Sequence, residues 1–204
     1  MSPSVPPADA PAVSASPARA QIRLSAQLLT CLAMCLLAGF ILYLAHDDPR
    51  AVLTGSMPFT RQLMIGQGLA LLAAAVVYAQ YRLAAGSEVV ARTARSYARL
   101  DLRGLNPLWM SIAAAVGEEM LFRAALQPLI GVWLVSLVFL VTHTPAYRFR
   151  QLDRATLLQA AGVFGASVAL GFVFQYVGLL AAIMVHAWID IVGLLVVRAI
   201  ARKA

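Results

Sequence analysis

Polar residues in this chain come in clusters, and the apolar runs between them set the architecture. Leu24–Ala45 is uncharged throughout and long enough to cross a bilayer as a helix. Gln62–Tyr81 is a second uncharged run. Two longer apolar regions follow, Gly104–Tyr147 and Ala155–Val197. As one straight helix, either would measure about 65 Å, twice the hydrocarbon thickness. Each must therefore reverse, the first between Gln127-Pro128 and Gly131, the second at Gln175-Tyr176-Val177-Gly178. The pattern predicts an all-α, polytopic transmembrane bundle of about six spans, near 25–45, 62–82, 107–126, 130–144, 155–174 and 178–198.

Two segments depart from this pattern. Residues 1–23 are rich in Pro, Ala and Ser without apolar periodicity, which predicts a disordered tail. No small-x-small cleavage site follows the first apolar run, so a retained helix is expected there, with 24–204 forming one transmembrane domain. Between the second and third spans, Ser87-Glu88 is a helix start and Gly104 a stop. Arg92, Arg95, Arg99 and Arg103 recur there at spacings of three and four, which predicts an amphipathic helix lying on the headgroups.

Composition agrees with a membrane protein: 61% of the residues are hydrophobic and 12% charged, against about a quarter charged in soluble domains. The net charge of +7 does not point to nucleic acid, because the arginines are spread over short loops and no base-reading module is visible. They collect before span one, between spans two and three, between four and five, and after six. With six spans those sites share one side, and the positive-inside rule puts both termini in the cytoplasm. Cys31 and Cys35, four apart in an apolar helix, read as small buried hydrophobes.

Within the predicted spans the titratable side chains fall into three clusters: Glu118, Glu119 and Arg123; His143; and His186 with Asp190. A charge at a helix centre costs about 2.5–3.5 kcal/mol to insert, so such groups are functional candidates. Glu119 and Arg123 have the spacing and order of an i,i+4 ion pair. Glu118 is rotated about 100° away and lacks that partner. His186 and Asp190 share a face, so the carboxylate can fix the imidazole's tautomer. His143 follows Phe139 by four, and the rings can pack together. Glu118, His143 and His186 can meet only if the fourth helix starts near Val132, since an earlier start carries His143 too deep. A carboxylate and two imidazoles in one small bundle suit the activation of water.

The stretches "EEMLFR" (118–123), "FLVTH" (139–143) and "HAWID" (186–190) resemble the three motifs of the CPBP (CAAX protease and bacteriocin-processing, or Abi) intramembrane endopeptidases. The resemblance covers about 107–198. It implies that Glu118 and His143 activate the attacking water. His186 and Asp190 would stabilise the oxyanion or complete the site, with Glu119 and Arg123 bracing it. Three departures stand out. The interval from Glu118 to His143 is short, Ala124 replaces a frequent glycine, and Asp190 stands where asparagine is frequent.

The expectation is an intramembrane endopeptidase acting on a membrane-associated protein or peptide, without an acyl-enzyme. Ser111, Ser136, Ser167 and Thr142 lie in spans, so their spacing alone leaves a hydroxyl nucleophile open. Metal is also left open, with Glu118, His143 and His186 as the ligands a zinc ion would take, although the H-E-x-x-H pair is missing. The rival readings are a non-catalytic binding or immunity protein that keeps the polar cluster, and a proton-coupled transporter. The Ala/Arg-rich, Lys-poor composition suggests a bacterial inner membrane.

Overall fold

A computed structural model describes residues 21–97, 99–147 and 153–202. The expected tail therefore lies almost wholly outside the described residues. The helices run in the order α1 (Leu24–Ala45), α2 (Pro49–Thr54), α3 (Phe59–Leu83), α4 (Glu88–Tyr97) and α5 (Asn106–Glu118). A π-helical turn (Glu119–Leu126) leads into α6 (Gln127–Tyr147), followed by α7 (Arg154–Tyr176) and α8 (Leu179–Ala201). In lipid every backbone polar group must be satisfied within the segment, and a helix does this residue by residue. Five helical stretches are long and apolar enough to cross a membrane: Leu24–Ala45, Phe59–Leu83, Asn106–Thr144, Arg154–Tyr176 and Leu179–Ile200. The chain is an integral membrane protein built as an all-helical bundle.

The stretch from Asn106 to Thr144, 39 residues long, does not run straight. Gly131 (φ 80°, ψ 163°) breaks α6, and the chain turns back on itself. The Phe139 ring returns to 5.0 Å from that of Phe122, and His143 returns to Glu118. One apolar stretch thus supplies two antiparallel rods, which brings the count to six. The reversal is tighter than a turn spread over 127–131, because Gln127–Ile130 stays helical and only Gly131 takes the left-handed backbone. Glu118 and His143 then lie at matching depths, about 19 and 18 Å from the corner along their helices.

The positively charged segments gather at one end. Ile22 donates its N–H to the Arg99 carbonyl and accepts from the Asp101 N–H, forming an isolated parallel bridge with Leu100. Arg198 donates to the Gly104 carbonyl at 2.9 Å. The amphipathic helix forms but is shorter than expected: α4 ends at Tyr97, and Leu100 is already in the bridge. Its arginines do not all face headgroups. Arg92 makes two hydrogen bonds to Asp153, at 2.9 and 2.6 Å, and another to Thr156. Asp153 also caps α7 by accepting from the Thr156 N–H. Docking α4 on the start of α7 thus competes with lipid for the same guanidinium. At the opposite end lies α2, a short helix that spacing did not foretell. Asp48 caps it by accepting from the Ala51 N–H, and Pro49 opens it.

Two outcomes follow. Gly178 has φ 136° and its Cα packs against the Gln62 amide, so a methyl group there meets both backbone strain and the Gln62 side chain. Gly178→Ala should cost roughly 2 kcal/mol or more, read as a lower thermal unfolding midpoint in detergent. The Arg92 hydrogen bonds, aided by the Thr156 N–H, hold the Asp153 carboxyl down at about 2. A depressed folded value means that the contact contributes fully above about pH 4 and is lost as the pH falls toward 2. A spin label at Ser96→Cys, with Cys31 and Cys35 replaced by Ala, should gain mobility over that window. Asp153→Asn should give the mobile spectrum already at neutral pH.

Candidate functional site

The middle of the bundle holds a charged network closed off from solvent. Glu119 and Arg123 are both fully buried, with Arg123 Nε donating to Glu119 Oε2 at 3.0 Å. The other oxygen, Oε1, accepts from His186 Nδ1 at 2.7 Å. Arg123 Nη2 donates to Ser167 Oγ at 3.0 Å, and the guanidinium lies 5.4 Å from the Phe139 ring centre. One carboxylate therefore ties the π-helical turn to α8, while its arginine reaches α7.

Glu118 stands beside this network without joining it. Its Oε2 is buried and makes no hydrogen bond. It lies 3.6 Å from His143 Nε2 and 3.8 Å from His186 Nε2. The His143 ring stacks on Phe139 with centroids 4.1 Å apart, and its Nδ1–H donates to the Phe139 carbonyl at 2.8 Å. That bond fixes the tautomer and turns Nε2 toward the carboxylate. The Asp190 side chain is 30% exposed, with Oδ2 3.6 Å from His186 Nε2. The Glu118, His143, His186 and Asp190 side chains thus converge on one point of the bundle, with Glu119, Arg123 and Phe139 packed behind them.

Two details differ from the reading by spacing. Glu119, rather than Asp190, holds the His186 imidazole, because α8 packs against the π-helical turn and a carboxylate from another helix comes closer than the i,i+4 neighbour. Glu119 therefore serves two partners, where spacing assigned it one. The second detail is the π-helical turn itself, a wider local winding that recurs at functional sites. Sequence spacing also missed Ser167 as the partner of Arg123, and His46, whose Nε2 donates to the Ala125 carbonyl in that turn at 2.9 Å. The signal for His46 was its position just past the end of α1; Ser167 had no local signal. As for the candidate nucleophiles, the Ser111 and Ser136 hydroxyls are buried without a hydrogen-bond partner. Thr142 donates to the Phe139 carbonyl at 2.8 Å and lies 3.5 Å from His143 Nδ1, which is itself engaged with the same carbonyl, while Ser167 accepts from Arg123.

The donor types Glu118, His143 and His186 suit zinc. Among the described residues, however, no group of three His, Cys, Asp or Glu side chains is arranged to hold an ion. No step below is routed through a metal.

Residues 103–192 match a family model described as type II CAAX prenyl endopeptidase Rce1-like. The match spans all three motifs and bears out their resemblance to the CPBP family over that segment. No curated protein and no solved structure matches the chain.

Removing one partner from a buried ion pair leaves the other charge stranded. Arg123→Leu should therefore cost about 3–5 kcal/mol of stability. Ser167→Ala, which removes a single hydrogen bond to a charged group, should cost about 1.5 kcal/mol. Denaturant unfolding in detergent checks the order; equal costs would contradict the network described.

Proposed function

We propose that this CAAX-protease-type core is an intramembrane endopeptidase that hydrolyses a peptide bond of a membrane-associated protein with a water activated by Glu118 and His143. The observation that carries this reading is the approach of Glu118 Oε2, from α5, to Nε2 of His143 and of His186, from α6 and α8. At 3.6 and 3.8 Å these are not direct hydrogen bonds, and a small outward shift of the side chains would let one water bond to all three. Glu118 accepts a proton from that water while His143 Nε2 orients it, and the water oxygen bonds to the substrate carbonyl carbon. His186, in its imidazolium form, has Nδ1–H held by Glu119 and offers Nε2–H to the developing oxyanion. The C–N bond then breaks, and Glu118 returns its proton to the leaving amine. Asp190, beside His186 and partly exposed, steadies the imidazolium or accepts from a substrate N–H.

The membrane orientation belongs to the same proposal. The end that gathers Ile22, α4, Asp153 and Arg198 also carries most of the arginines, so the positive-inside rule makes it cytoplasmic. The Ala/Arg-rich, Lys-poor composition makes a bacterial inner membrane the proposed host.

Glu118→Gln keeps the volume and removes the base. Cleavage should fall by at least about 100-fold with expression and thermal midpoint unchanged, and an uncleaved precursor should accumulate in the membrane proteome. Undiminished processing would support the binding or immunity role instead. Activity lost to a chelator and restored by zinc would replace the carboxylate route with a metal route.

A further inference from the structure

We infer that the slot between the C-terminal halves of α3 and α8 is a binding site for an anionic phospholipid of the surrounding bilayer. The two helices run in parallel and are pinned near their starts: a methyl group added at Gly66 would lie 2.8 Å from Ala181 Cα. Ala70 packs with Val185 one turn further on. Further along the side chains are larger, and a space of about 710 Å³ lies between Tyr78, Tyr81, Arg82, Val192, Leu195 and Val196.

Three features select the occupant. The slot is apolar on its α8 wall, formed by Val192, Leu195, Val196 and Ala199, and it is open to the surroundings, with Tyr78 and Leu195 exposed. It is about 10 Å long, from Tyr78 to Ala85 along α3. A helix from another chain is itself 10–12 Å across with its side chains and would find less than two turns to pack along, whereas part of an acyl chain needs no more. Arg82 stands on the α3 side, where it donates to the Tyr78 hydroxyl at 3.1 Å with its charge 5.9 Å from that ring. Like several other arginines, Arg82 pairs with no carboxylate among the described residues, and it is the arginine that borders this slot. A lipid phosphate supplies the missing anion, and two tyrosines at headgroup level suit the interface.

The test uses the full chain in nanodiscs holding equal amounts of phosphatidylglycerol and phosphatidylcholine with matched acyl chains, released for native mass spectrometry. The wild type should retain one phosphatidylglycerol in preference to phosphatidylcholine. Arg82→Gln should lower that preference about fivefold. Val196→Trp, which fills the slot, should lose both lipids, and each variant should keep the wild-type thermal midpoint. Equal retention of both lipids by the wild type, or a preference unchanged in both variants, would overturn the assignment. So would a dimer that Val196→Trp dissociates, since the slot would then belong to a second copy. None of these readouts involves peptide cleavage.

Discussion

A charge can stay inside a bilayer only if its partners are already in place, and in this chain that condition falls on Glu119. With no exposed surface, it must satisfy both oxygens from within, through Arg123 on its own helical segment and His186 on α8. Arg123 in turn needs Ser167 and the Phe139 face. The desolvation of such a pair can exceed its Coulombic gain. The network therefore adds little net stability; what it contributes is register. α7, α8 and the π-helical turn can each slide or rotate only by stranding a charge.

The position of Glu118 is the remainder of that arrangement. Glu119 takes the paired interior position, so its neighbour Glu118 is left beside the network, where no N–H meets its Oε2. The corner at Gly131 decides what stands opposite. By reversing the chain in one residue, it lets a short hairpin bring His143 level with Glu118, although only 25 residues separate them. The Phe139 ring stacks on His143 and packs against Phe122, so the imidazole is steadied from both arms of that hairpin.

Much of this was legible because membranes simplify the grammar. Uncharged runs located the spans, and arginine placement correctly grouped the loops at one end. The i,i+4 spacing of Glu119 and Arg123 gave their pairing. The rest depended on information that spacing lacks. Periodicity assumes α-helical winding, so it could not see the π-helical turn. Local spacing favoured Asp190 for His186, whereas the stronger partner came 67 residues earlier in the chain. The arginine row of α4 looked like a lipid-facing stripe because the acceptor for Arg92, Asp153, comes 61 residues later in the chain. The Asp48-Pro49 start of α2 was legible in principle as a cap followed by proline, but a helix of six residues leaves no periodic trace.

The first helix deserves a reading of its own, for α1 lies outside the span that the family model covers. It nevertheless presses so closely on α5 that a methyl group at Gly117, the residue before Glu118, would sit 3.0 Å from Cys31 Cα. Further along, Ala38 and Leu42 pack with Leu121, Phe122, Ala124 and Ala125, and His46 closes the contact. The portable unit of this chain is thus larger than its recognisable motifs. A graft or truncation cut to the conserved-looking segment would leave the back of the reacting helix bathed in acyl chains, where nothing enforces its winding.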